Sequence, residues 1–362
     1  MRHALPFLAT ALLAAPAIVH AAPAQATPPL QKSVEQAYPQ LDYLFQKLAK
    51  EREGITMDGQ AALKSKDKFL PGKIATGLAD LLVHLPANDP RLPGMLRDYA
   101  DLADLTIGMA NDTWGIYYYI GALHRLKQAG LLERAVRPAT LETLRKRLDW
   151  RTFVRLPGYE LIDLPTNYYG VAFSIARLRM LMGWEDGKSG EILLDKMLKH
   201  YATYSGEYGF SDETDGQGRF DRYSILLAAE ICERFIETGL EVTPELKALL
   251  RKSAEVALDS ATSDGTGFTM GRSLGPYGET AMLEILSTAA YLGVLSPEEK
   301  EYAYAYSARI AERYMRFWYQ PAMHSVDMWN GGRRTDTYRG KHRILGENFS
   351  LLHQLIATNE MW

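Results

Sequence analysis

The chain has 362 residues, 41 basic against 44 acidic side chains, a formal charge of −3 and a single cysteine, Cys232. Balanced charge gives no footing for nucleic acid or an anionic membrane as a partner, and one cysteine excludes an internal disulfide. No Cys/His cluster has zinc spacing, no Gly-x-Ser-x-Gly elbow points to a serine hydrolase, and neither a phosphate loop nor a dinucleotide fingerprint is present.

The first element is a leader. Arg2 and His3 precede an apolar run from Ala4 to Val19, followed by small-residue cleavage patterns at Val19-His20-Ala21 and Ala24-Gln25-Ala26. That order marks a cleavable secretory signal, and the run falls short of the roughly 20 apolar residues of a membrane span. We expect residues 1–26 to be a signal peptide and residues 27–362 one catalytic domain. The mature chain is expected in the periplasm or secreted, off the membrane, as a monomer or small homo-oligomer.

Helical periodicity then runs through the chain. It predicts helices over Leu30–Glu53, Ile74–His84, Pro93–Met109, Gly115–Ala129, Leu141–Leu148 and Tyr168–Met182. Further helices are predicted over Gly190–Tyr204, Arg219–Thr238, Thr243–Thr262, Gly278–Leu292, Ser296–Tyr319 and Gly346–Thr358. Thr243-Pro-Glu and Ser296-Pro-Glu-Glu are strong start signals, with a capping hydroxyl, proline in the first turn and acids after it. Only short extended pieces are expected, for example near Gly267 to Met270. About a dozen helices with loops of uneven length imply an all-α fold, an (α/α) toroid of six or seven helical hairpins. No 34–47-residue repeat supports a solenoid. Cys232 lies in the apolar run Ile225 to Ile236 and reads as core.

The unusual residues collect in loops, where binding and catalysis are commonly built. One loop carries Asn111-Asp-Thr-Trp114-Gly115. In Leu164-Pro-Thr-Asn167-Tyr168-Tyr-Gly170, proline keeps the preceding residue out of helix. Asn167 there is either a helix cap or an amide at a positive helix end. Residues 206–223 combine glycines with Asp212, Asp215, Arg219, Arg222 and Tyr223, and the last three are expected in one first helical turn. Asp212 and Asp215 raise the question of calcium, but the spacing departs from an EF-hand loop. In Gly271-Arg272-Ser-Leu-Gly-Pro-Tyr277-Gly278, Tyr277 sits between proline and glycine at a helix mouth. Arg272 is placed to lower its phenol pKa, which makes Tyr277 a proton-transfer candidate. Residues 329–343 include Tyr338, Arg339, Lys341, His342 and Arg343, a basic group suited to carboxylates.

Asparagine, tyrosine, arginine and histidine over a helical ring are the parts for β-elimination at a uronic acid. The C5 proton is poorly acidic while the carboxylate is charged, so neutralising the carboxylate stabilises the enolate-like intermediate. A tyrosine then takes the proton, and neither metal nor cofactor is needed.

The set Asn167-Tyr-Tyr-Gly, Gly218-Arg-Phe-Asp-Arg-Tyr, Arg272 to Tyr277 and Lys341-His-Arg resembles that of toroidal polysaccharide lyases. It is most similar to polysaccharide lyase family 38, glucuronan and alginate lyases with an (α/α) barrel. The likeness covers Asp163 to Asn348. It implies Asn167 as carboxylate neutraliser, Tyr277 as base and acid, and Arg272 and His342 as their support, with His124 or His324 as alternatives for the histidine. It also implies that Arg219, Arg222 and Tyr223 line the subsites of an anionic polysaccharide. Tyr168, Trp114, Tyr338 and Arg343 are expected as further substrate contacts. Two rivals stand beside it. One is an inverting glycoside hydrolase, which needs two carboxyls roughly 6.5–9.5 Å apart, from Asp112, Asp212, Glu213 and Glu279. The other is a non-catalytic carbohydrate-binding protein.

Overall fold

The computed structural model describes residues 30–336 and 339–362. The predicted leader and Tyr338 lie outside them. Fourteen α-helices are described. They are α1 (Leu30–Glu35), α2 (Ala37–Glu51), α3 (Leu70–His84), α4 (Leu92–Thr106), α5 (Thr113–Gln128), α6 (Leu132–Ala135) and α7 (Pro138–Arg147), then α8 (Tyr169–Leu181), α9 (Lys188–Tyr204), α10 (Tyr223–Glu237), α11 (Pro244–Asp259), α12 (Pro276–Tyr291), α13 (Pro297–Arg313) and α14 (Ile344–Glu360). Three two-residue antiparallel hairpins and one isolated bridge, Ser205 with Ser211, make up the β-pairing among the described residues.

An inner ring explains the burial pattern. α3 packs on α5 and α14, α5 on α8, α10 on α12, and α12 on α14. α9, α11 and α13 back onto α8, α10 and α12, while α2 and α4 back onto α3. α1 closes the ring against α13 and α14. α3 and α12 are buried on nearly every side, as expected of helices apolar all round. α4 and α11 carry one apolar stripe and show their other face to water. The fold is an (α/α) toroid, as the sequence predicts. The core runs unbroken from Leu30 in α1 to Ile356 in α14.

Glycine permits the tightest crossing. A Cβ on Gly72 of α3 would lie 2.0 Å from the carbonyl oxygen of Gly115 in α5. Only bare backbone fits there, and it brings the first turns of both helices to the ring's centre.

Several boundaries differ from the sequence expectation, three of them where the helical pattern itself is interrupted. The first helix divides at Gln36, because Pro39 lacks an N–H and its ring would clash with the carbonyl of Glu35. The helix expected from Arg219 begins at Tyr223, since Asp221 accepts from the Tyr223 N–H at 2.9 Å and caps it there. The helix expected to reach Tyr319 widens into a π-turn over Tyr314–Trp318. The extended piece near Gly267 forms no ladder. Its Phe268 N–H donates to the Gly278 carbonyl at 3.2 Å, lying against the start of α12. The start signals hold: Thr243 caps α11, and Ser296 and Glu299 form a reciprocal capping box on α13.

Candidate active site

The ring encloses a cavity of about 1120 Å³, counting its open mouth. First-turn residues of five inner helices line it: Lys73, Trp114, Tyr168 beside α8, Tyr223 and Tyr277. Arg343 stands just before α14. The inner helices therefore aim their N-termini at one end of the space, where their dipoles favour negative charge.

Asn167 lies in the single 3₁₀ turn Thr166–Tyr168 and lines the cavity. Its Oδ1 is buried with no hydrogen-bond partner among the described residues. The turn is tied from behind. Asp215 accepts from the Thr166 N–H at 3.0 Å, and Thr166 Oγ1 sits 2.7 Å from His200 Nδ1. Asp215, considered for calcium, is thus a tether for the Asn167 turn. Asp212 accepts from the N–H groups of Thr214 and Gly218, both at 2.7 Å, and shapes its own loop.

Two tyrosines stand among arginines, in contrasting states. Tyr277 is 3 % exposed and donates its phenol to Glu347. Burial is the main force on that phenol, and Glu347 adds to it, so its pKa is driven well above the ordinary value. Arg272 does not pair with Tyr277 as expected. It binds Glu213 and Asp221, each at 2.9 Å, and lies 4.9 Å from the Tyr223 ring centre. Gly271 makes this possible: its φ is +72°, and a Cβ there would press to 2.3 Å from the Asp221 side chain.

The lowered phenol is that of Tyr223. Burial pushes it up, but Arg222, Arg339, the Ser273 hydroxyl and Arg272 outweigh burial and bring it below the usual tyrosine value. The Arg222 guanidinium lies 4.6 Å from the Tyr223 ring centre, and Arg339 Nη2 approaches the phenol oxygen at 3.5 Å. Arg222 is 4 % exposed, donates to the Tyr277 carbonyl, and has a buried Nε without a partner among the described residues.

Glu347 organises the cations. Arg339 contacts it at 2.8 Å, Arg343 at 3.1 Å and Lys73 at 3.4 Å. Burial opposes its ionisation, but these three charges hold its carboxyl down to about 2. Lys73 and Arg343 also share Asp67, at 2.9 and 3.2 Å.

Of the other sequence candidates, Trp114 and Tyr168 line the same wall with their rings 6.5 Å apart, edge to face. Arg343 is there too, as an ion-pair partner. Arg219 is in the exposed loop before α10, 2.8 Å from Glu213, rather than in a shared helical turn. His342 is exposed and outside the cavity lining. His124 is buried near the far ends of the inner helices, and His324 stacks on Tyr43 at 4.1 Å. Among the described residues, no group of three or more His, Cys, Asp or Glu is arranged to hold a metal ion.

Sequence reasoning missed the lower half of the cavity. Glu230 and Glu233 of α10, Glu284 of α12 and Gln354 of α14 line it. Glu230 and Glu233 lie in the apolar run read as core, and Glu284 stands in Met282-Leu-Glu-Ile-Leu286. A carboxyl inside an apolar stripe was the available signal. Glu230 has a buried oxygen without a partner among the described residues, and burial followed by Glu284 pushes its carboxyl up to about 8. Of the hydrolase acids expected from sequence, Glu213 lines the cavity, paired with Arg272 and Arg219, whereas Asp112 is on the surface with Lys68 and Glu279 is buried with Arg313 and Trp318.

No protein-family model matches the chain. No curated protein matches it either. Solved structures do resemble it. An unsaturated glucuronyl hydrolase from Streptococcus agalactiae, in complex with dGlcA-GalNAc6S, is 11 % identical with a TM-score of 0.60, covering 92 % of each chain. A polysaccharide lyase is 10 % identical with a TM-score of 0.53, covering 91 % of this chain and 98 % of its own. A type II terpene cyclase from Scytonema, bound to geranylgeranyl dihydroxybenzoate, is 12 % identical with a TM-score of 0.50 over 92 % and 99 %. The common element is the α/α toroid. At such identities the likeness defines the class of fold, and the chemistry rests on the cavity's residues.

Proposed function

We propose that the chain is an exported polysaccharide lyase that cleaves a uronate-containing polymer by β-elimination. The observation that carries this is the lowered phenol of Tyr223, on a cavity wall shared with Asn167 and with Arg222, whose buried Nε donor has no partner among the described residues. The resemblance to family 38 lyases supports glucuronan or alginate as the polymer. Similar folds that include a polysaccharide lyase and a glucuronyl hydrolase support a carbohydrate substrate.

The residues divide the work as follows. Arg222 and the Asn167 side-chain N–H donate to the C6 carboxylate, drawing charge off C5. The Tyr223 phenolate removes the C5 proton. The electron pair left on C5 forms the C4–C5 double bond as the C4–O4 bond breaks. The Tyr223 phenol, now protonated, returns that proton to O4. Tyr223 replaces Tyr277 as the base because Tyr277 holds its proton and spends it on Glu347. Trp114 and Tyr168 offer ring faces and edges for sugar rings.

The test is a panel of uronate polymers assayed by the ultraviolet absorbance of the unsaturated product. Wild type should generate it, and Tyr223→Phe should not. Absence of an absorbing product on every uronate polymer sinks the lyase reading. Glu230 favours one second reading, a glycoside hydrolase. A carboxyl near 8 is protonated at neutral pH and suits a general acid. That enzyme would release reducing ends without ultraviolet absorbance and would lose them in Glu230→Gln.

A further inference from the structure

The cavity runs along the toroid axis far below the proposed chemistry. On α10 its wall is Tyr223, Leu227, Glu230, Arg234 and Glu237, one residue per helical turn. The fourteen steps from Tyr223 to Glu237, at ~1.5 Å each, make this face about 21 Å long. Glu230 stands seven residues, about 10 Å, below Tyr223 by the same spacing. Arg343 and then α14 give the facing wall, down through Gln354 and Ala357 to Thr358. Below lies a second space of about 1100 Å³, counting its open side, which shares Tyr117, Tyr118, Glu237 and His353 with the first.

A polymer lying across the mouth would touch only the first helical turns. It would leave the lower half without a purpose, and that half is costly to maintain. Glu230, Glu233 and Glu284 are held out of bulk water; Arg234 lies 3.3 Å from Glu233, Arg222 is the cation felt by Glu230, and both arginines act on Glu284. Buried carboxyls are expensive unless paired. Here they form a hydrogen-bonding wall: Thr288 donates to Glu233 at 2.9 Å, Gln354 donates to Glu284, and Glu230 keeps an unpartnered oxygen. Such a wall is suited to the hydroxyls of a sugar.

We infer that the polysaccharide chain is taken end-on, its terminal residues reaching past Tyr223 to Glu230, Glu284 and Gln354, so that cleavage proceeds from the chain end. This rests on the proposed lyase reading for its chemistry, but the direction of binding is tested separately.

The experiment uses polyglucuronate, alginate and saturated oligouronates with wild type and Ala357→Phe. Ala357 lies on the lower wall and is partly exposed, so the ring extends into the cavity; an unchanged melting temperature confirms that the fold is intact. With end-on binding, wild type releases one short product size from the first minutes while solution viscosity lags behind bonds cut. Ala357→Phe then loses at least tenfold in kcat/KM and in affinity for the longer oligomers by calorimetry. A broad ladder of products with an early viscosity collapse, or an unchanged affinity in Ala357→Phe, overturns the inference. New reducing ends without ultraviolet absorbance would remove the lyase reading, while product size would still judge the direction of binding. If nothing is cut, the calorimetric comparison alone decides it.

Discussion

The upper and lower halves of the cavity bury acidic side chains to opposite effect. Glu347, behind the upper wall, is fully buried yet held down to about 2. Glu230, in the lower half, is pushed up to about 8. Burial is the largest influence on both and acts in the same direction. The difference is the company: three cations meet Glu347, whereas Glu230 has Glu284 and Glu213 nearby and only Arg222 to offset them. One set of helices thereby carries a charged mouth and a deep end whose carboxyls hold their protons more tightly than usual. The two tyrosines repeat the lesson on a smaller scale. Tyr277 faces an anion and keeps its proton, while Tyr223 faces cations and releases its proton more readily.

The largest expected effect would come from Tyr223→Phe. Losing a proton-transfer group typically costs about 10²–10⁴-fold in rate. Here kcat should fall by that factor with oligouronate affinity nearly unchanged, as read by initial rates and calorimetry. A variant within threefold of wild type would return the base role to Tyr277.

Glu347→Ala comes next and is aimed at stability. It leaves Lys73, Arg339 and Arg343 with one fewer counter-charge, and breaking a buried pair costs about 3–5 kcal/mol. Urea denaturation should show a loss in that range. A loss below about 1 kcal/mol would mean that Asp67 already neutralises the group.

Tyr277→Phe should be milder, removing one charge-assisted hydrogen bond worth about 1.5–3 kcal/mol. Activity should fall less than in Tyr223→Phe, and a larger fall would reverse the assignment.

The smallest effect is the sharpest test of the two halves. Glu230 binds its proton more tightly folded than unfolded. Its contribution to stability is therefore full below the ordinary carboxylate value of 4.5 and is lost as pH rises from there to about 8. Glu347 runs the other way, contributing above 4.5 and losing that contribution as pH falls to about 2. Glu230→Gln should flatten the alkaline fall in melting temperature and leave the acid limb as it is. An unchanged alkaline limb would show that the carboxyl is normally ionised.

Local patterning made the helices legible. Twelve predicted segments cover the main helices of the toroid, and Thr243 and Ser296 start α11 and α13 where the cap signals put them. The errors were local as well: Pro39 breaks the first segment, and Asp221 starts α10 late. The site was legible only as loose parts. Asn167, Arg222, Tyr223, Arg272 and Tyr277 could be singled out as odd residues in loops and at helix mouths, but their partners could not. Arg272 is five residues from Tyr277 and 49 from Tyr223, yet it packs against the latter.

The sequence by itself determined the helical ring, because periodicity, caps and prolines act within a few residues. The order of the charges belonged to the tertiary structure. Glu347 meets Lys73 across 274 residues, and Glu230 meets Glu284 across an inter-helix contact that no local pattern encodes. A pKa depends on which charges share a low-dielectric space. Ring closure, by bringing helix mouths together, decided which tyrosine is the candidate base.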